Sequence, residues 1–211
     1  MTSSLMSQWW PEPSVKFVNG LVSDHPKSDD APLDWCQQID PAPGRPGRLW
    51  LVGLCSVWVS DEADAERKLV VGERQLRMLK EVQAEDLVLL LTHHPPGWLH
   101  PTAEDLLLER LAERAHHIHL CGHVHAASAR ALRGVGTPRD SLRLVAGAGH
   151  GESSGEHGYA WGALRWHRGE WQIGWAPRIF EPGRGMRPDR NRYDLDDLDF
   201  AWESLLSLIH I

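Results

Sequence analysis

Two short segments of this 211-residue chain set imidazoles at positions where a metal ion could use them. Thr92-His93-His94-Pro95-Pro96 closes one apolar run, and some thirty residues later Gly122-His123-Val124-His125 closes another. Neutral imidazole is a good ligand for Zn, Fe, Mn, Ni or Co. Residues i and i+2 of an extended segment share a face, so His123 and His125 can bracket two adjacent ions. Gly122 is expected to supply the tight backbone turn in front of them. A third apolar run, LRLVAGAG, ends at His150. The candidate ligands are thus His93, His123 and His125, while His94 and His150 are candidates to support a ligand or face the substrate. Three imidazoles bring no charge, so a hydrolytic two-ion site would need bridging carboxylates from elsewhere. A single zinc on His93, His123 and His125, completed by water, is the alternative with the same donors. The spacing singles out no catalytic acid, base or nucleophile.

These segments need elements that deliver them to one place. WLVGLCSVWV (50–59) is a nearly continuous apolar run, as a strand covered on both faces reads. An acidic stretch, SDEADAE, separates it from GERQLRMLKEV, where Leu76, Leu79 and Val82 recur at helical spacing. DLVLLLTHH (86–94) is a second buried strand. Thr102 is placed to cap a helix over AEDLLLERLAERA, with acids in its first turn, and HIHLCG is the third strand. This βαβαβ order predicts an α/β fold with a parallel sheet, whose ligands gather at the carboxyl ends of the strands. Further on the pattern turns to strands, SLRLVAGAG and then YAWGALRWHRGEWQIGWAP, with HRGE as a hairpin turn.

The remaining histidines invite plainer readings. His116, His117, His119, His157 and His167 are read as hydrogen-bonded structural residues and His100 as exposed. Eleven tryptophans are many for this length, and five of them fall between 161 and 202, where strand packing accounts for them. A net charge of -7 argues against a nucleic-acid binder, because neutralising phosphates needs a basic face. Cys36, Cys55 and Cys121 are far apart and odd in number, a poor disulfide framework and a better fit to a reducing cytoplasm. No segment reads as a signal peptide or a membrane span. Four regions follow: an irregular 1–47, a core at 48–180, a charged extension at 181–205 that could close in a short helix, and a tail at 206–211. That tail, LSLIHI, matches a translated library adapter and reads as artefact.

GHVHA at 122–126, preceded by LLTHHPPGWL at 90–99 and by LVGLCSVWVSD with GERQLRML upstream, resembles the C-terminal half of the calcineurin-like metallophosphoesterases. The resemblance covers about residues 50–150. It implies a four-layer αββα fold of two packed sheets flanked by helices. It also implies hydrolysis of phosphomonoesters or phosphodiesters, on a phosphorylated small molecule or protein, at two divalent ions (Mn, Fe, Zn, Ni or Co). By the same resemblance His93 and His123 ligate the second ion and His125 the first. The family's upstream motifs, D-x-H, G-D and G-N-H-[DE], have no counterpart here, and with them go the bridging aspartate and the protonating histidine. The expectation is a piece of a longer enzyme carrying the histidine half of the site, weakly active by itself. The alternative is a non-catalytic phosphoesterase-like module with a binding or regulatory role.

Overall fold

The computed structural model describes residues 34–39, 47–57, 66–114, 116–124, 128–133, 140–146 and 157–205. Three strands alternate with helical segments to open the main sheet. Strand β2 (Leu49–Gly53) leads to α1 (Glu73–Leu76) and a 3₁₀ turn at Arg77–Glu81, then to β3 (Leu87–Leu91), α2 (Pro101–Arg114) and β4 (His116–Cys121). Strand β2 pairs parallel with β3, β3 with β4, and β4 with β6 (Asp140–Val145). Antiparallel edges close the six-stranded sheet: β1 (Trp35–Ile39) beside β2, and β5 (Ser128–Arg133) beside β6. The 1–47 region, expected to be irregular, therefore supplies an edge strand. A second sheet holds β7 (Gly158–His167), β8 (Glu170–Glu181), β9 (Gly185–Pro188) and β10 (Ala201–Ser204).

Alternation along the parallel strands divides the core in two. Trp50, Val52, Val88 and Leu90 face the helices and pack with Leu76, Leu79, Leu107 and Leu111. Leu49, Leu51, Leu87, Leu89, Ile118 and Leu142 face the other way, against Leu164, Trp171, Ile173 and Trp175 of the second sheet. The chain is thus a mixed α/β protein with helices on one face of the first sheet and the second sheet on the other. Among the described residues no helix joins the second core. No helix among them is long and apolar enough to cross a membrane.

Several elements differ from their sequence reading. The first strand stops at Gly53 and the second at Leu91, so that the residues after each form the rim of the sheet. The expected helix over 72–82 is one α-helical turn followed by a 3₁₀ turn. Helix α2 begins at Pro101, a residue suited to the first helical position because it has no N–H to leave unpaired. Thr102 lies inside that helix, and its N–H donates to His100 Nδ1 at 3.3 Å, so His100 is the capping side chain. The C-terminal extension ends in strand β10, not a helix. The HRGE turn forms between β7 and β8, with Arg168 (φ 53°) and Gly169 (φ 86°) both left-handed, the geometry that matches strand twist in a two-residue hairpin.

Candidate metal centre

The parallel ladder continues past the strands and aligns their ends. Leu54 N–H donates to Leu91 O (3.0 Å), Thr92 N–H to Leu120 O (3.1 Å), Gly122 N–H to His93 O (2.9 Å) and Ala146 N–H to Cys121 O (2.8 Å). The third of these bonds sets His93 beside His123. One donor atom each from His93, His94 and His123 lies within 4.8 Å of the other two. Nδ1 of His123 and Nε2 of His93 are 3.2 Å apart, so one of them carries the proton between them. His94 is buried beneath the group, His123 is half-buried and His93 is exposed, which leaves the cluster open to solvent on the His93 side.

Of the sequence candidates, the structure brings His93 and His123 together. It also puts His94, read as a supporting or substrate-facing group, among the donors. His125 and His150 lie outside the described residues, as does the acidic stretch from Asp61 to Ala65. Among the described residues no carboxylate or cysteine belongs to the cluster. Burial pushes the Cys121 thiol up to about 11, which keeps it protonated and a poor ligand.

Gly122 does not supply the tight turn. Its φ is not positive, and a Cβ there would sit 3.8 Å from His93 O, an ordinary contact. The left-handed residue is His123 itself (φ 68°), which costs a non-glycine residue about 1–2 kcal/mol. Adjacent parallel strands present their ends side by side, and the left-handed step redirects the His123 ring onto His93 and His94. The ring centroids stand 5.1 Å and 4.3 Å from it, respectively. The Pro95-Pro96 pair starts a 3₁₀ turn that carries Trp98, whose ring stands edge-on to His123 (4.1 Å) and stacks on His94 (5.5 Å). Sequence reading assigned Trp98 no part in the site. The signal was its spacing, four residues from His94.

A polar chain fixes His94 from behind. Its Nδ1 lies 3.1 Å from Ser56 Oγ, and its backbone N–H donates to the same oxygen at 3.2 Å. Ser56 is held in turn by the loop it sits on. Cys55 N–H donates to Asp34 Oδ1 (2.7 Å), and the Gln75 amide donates to Asp34 Oδ1 (2.6 Å) and to Cys55 O (3.0 Å). An imidazole that ligates through one nitrogen is oriented by the partner of the other. Replacing Ser56 with alanine is expected to weaken metal binding about 10- to 100-fold, as read by competition with a chromophoric chelator, and to cost about 1–3 kcal/mol of stability because the buried His94 N–H loses its acceptor.

Thr92 links the centre to the sheet. Its hydroxyl donates to His94 O (2.6 Å), so its oxygen can only accept from His119 Nε2 (2.8 Å), and His119 must carry its proton there. His119 points to the helix side of the sheet with His117, because Ile118 and Leu120 take the other face. Burial first, then the charges of Arg143 and His117, brings the His119 pKa down from 6.5 to about 3. The unfolded chain therefore binds a proton that the folded chain refuses between these pH values. Stability is whole above pH 6.5 and falls as pH drops toward about 3, by a few kcal/mol in total. His119→Gln keeps an Nε2 donor toward Thr92 and does not titrate. Urea unfolding at pH 7 and at about pH 4.5 is expected to show a smaller loss for this variant than for the parent.

No protein-family model matches the chain, and no curated protein matches it.

Proposed function

We propose that the chain is part of a metal-dependent hydrolase of phosphate esters, of the calcineurin-like metallophosphoesterase kind, acting in the cytoplasm on a phosphorylated small molecule or protein. The two sheets are then the inner layers of an αββα sandwich. One observation carries the reading: His93, His94 and His123 converge at the carboxyl edge of a parallel sheet, from the ends of two adjacent strands. Three neutral imidazoles suit one first-row divalent ion with a position left for water or substrate.

Within this reading His93, His94 and His123 hold the ion, and Ser56 and Trp98 keep His94 and His123 turned toward it. The bound ion supplies Lewis-acid polarisation of a phosphoryl oxygen and a water acidic enough to be a nucleophile near neutral pH. The exposed edge of His93 leaves an approach for an ester. A second ion would call for carboxylates, and none of the described ones stands with the imidazoles, so turnover by this chain is expected to be slow.

The test combines metal content with turnover of a chromogenic phosphodiester in the presence of Mn²⁺ or Zn²⁺. About one ion per chain, with slow hydrolysis that His123→Ala removes, is the expected result. Retained metal without hydrolysis would assign the chain to the non-catalytic module instead. No metal retention, or hydrolysis indifferent to His123, would sink the reading.

A further inference from the structure

The second sheet ends on a strand that lacks the usual protections of an edge. Strand β7 pairs with β8 through ten consecutive positions without a bulge, and among the described residues nothing pairs with its other side. The remaining edge strands run only four to six residues. Edges are commonly blunted by shortness, charge, proline or bulges, because a long bare edge pairs with other chains. Residues 158–164 (GYAWGAL) hold no charge and no proline, in a chain of net charge -7.

The ladder decides which groups the open edge offers. Phe180 N–H donates to His157 O at 2.7 Å, so the odd-numbered residues of β7 turn their backbone groups toward β8. Gly158, Ala160 and Gly162 therefore direct N–H and C=O outward. Side chains alternate in the same way. Tyr159 and Trp161 share one face, edge-to-face at 5.9 Å, and are 42% and 45% exposed. Gly158, Ala160 and Gly162 leave the other face almost bare, and a Cβ on Gly162 would meet nothing within 4 Å. Residues 159–162 are exposed, whereas Ala163 and Leu164 are buried, so the open stretch closes at Gly162.

This stretch is complementary to itself. Laid antiparallel about a two-fold axis at Ala160, it sets Ala160 opposite its own equivalent, Gly158 opposite Gly162 and Tyr159 opposite Trp161. The outward-facing residues then meet as hydrogen-bonded pairs, with about six backbone bonds between the strands. Tyr159 and Trp161 fall in the closer, non-hydrogen-bonded pairs, where cross-strand rings interact, and the rings of both copies form one row. An axis at Trp161 would draw the buried Leu164 into the pairing, and one at Tyr159 would leave Gly162 unused. The axis at Ala160 uses the whole open stretch and nothing beyond it. Two acidic chains meet there on a strip without charge.

We propose that two copies of this chain pair through β7, antiparallel about Ala160, and join their second sheets into one continuous sheet. The pairing is independent of the imidazole centre and does not require metal.

Sedimentation equilibrium of the full chain in the presence of EDTA tests this. The parent is expected to dimerise at micromolar concentration. Trp161→Lys removes ring contacts and brings charge onto the strip, and should weaken the dimer at least about tenfold. Ala160→Pro deletes an outward N–H that the β7–β8 ladder does not use, and should do the same with the circular dichroism spectrum unchanged. Oxidation reads the register. Ala160→Cys puts the two equivalent Cα atoms about 5.5 Å apart across the axis, within the span of a disulfide, and should cross-link the dimer. Gly162→Cys would stand roughly 14 Å from its equivalent and should cross-link no more than the parent, whose own cysteines are Cys36, Cys55 and Cys121. A monomeric parent, whether the edge is bare or covered by another segment of the same polypeptide, would overturn the proposal. So would a dimer that survives both Trp161→Lys and Ala160→Pro, or equal cross-linking through positions 160 and 162.

Discussion

Asp86→Ala is expected to lower the stability of the protein by about 3–5 kcal/mol, measured as a fall in the urea midpoint with little change in slope. Asp86 is buried at the start of β3, where its two oxygens collect five donors. Oδ1 accepts from the Arg48 backbone N–H (2.8 Å) and from Arg48 Nε (3.4 Å). Oδ2 accepts from Arg48 Nη2 (3.0 Å), Trp50 Nε1 (2.8 Å) and the Gln83 N–H (2.9 Å). Burial alone would raise this carboxyl. The hydrogen bonds from Gln83, Arg48 and Trp50 outweigh it and hold the pKa below the ordinary 3.8.

Truncation leaves an indole N–H and backbone donors inside the helix-side core without an acceptor, and such loss costs more than the bonds contributed while made. Asp86→Asn is no remedy, since every neighbour is a donor and the amide nitrogen would face one of them. The two variants are therefore expected to lie close together. A depressed carboxylate pKa contributes stability above the unfolded value and loses it as pH falls through the folded one, so the Asp86 contribution fades only below pH 3.8. His119 begins to lose its contribution at 6.5, so acid unfolding should start with the histidine and finish with the aspartate.

The second large effect concerns metal. His123→Gly is expected to abolish ion binding at the cluster while leaving the unfolding midpoint nearly unchanged. Deleting the imidazole removes one of three donors, and even an outer partner of a ligand is worth about 10- to 100-fold in affinity. Glycine relieves the left-handed strain at φ 68°, which offsets both the missing packing against Trp98 and the added freedom of the unfolded chain. His123→Ala keeps the strain and should be less stable than the glycine variant by about 1 kcal/mol. Equilibrium dialysis against Zn²⁺ and thermal unfolding of both variants check the two halves separately. If the glycine variant kept full metal affinity, His123 would not be a ligand. If it lost several kcal/mol, the ring would matter more to packing than to metal.

The order of β2, β3 and β4, with helical segments between them, was legible in the amino-acid pattern. Continuous apolar runs with helical segments between them predict parallel strands under a helical layer, and in the fold period-two alternation sorts Trp50 and Val52 from Leu49 and Leu51. The same logic carried His93 and His123 to one edge, because both follow strands that end there, and Arg168-Gly169 marked its own hairpin. Local pattern runs out where a partner lies far along the chain. Whether Trp35–Ile39 pairs with β2 depended on an edge left open by the rest of the sheet, which no short-range signal encodes. The register of β3 on β4, with Leu91 opposite Leu120, puts His93 and Gly122 in hydrogen-bond contact, and the left-handed step follows at His123, not at the glycine. Ser56, thirty-eight residues from His94, turns that imidazole into the cluster. Which donors converge is a matter of ångströms between segments distant in sequence, and only tertiary packing fixes distances of that kind.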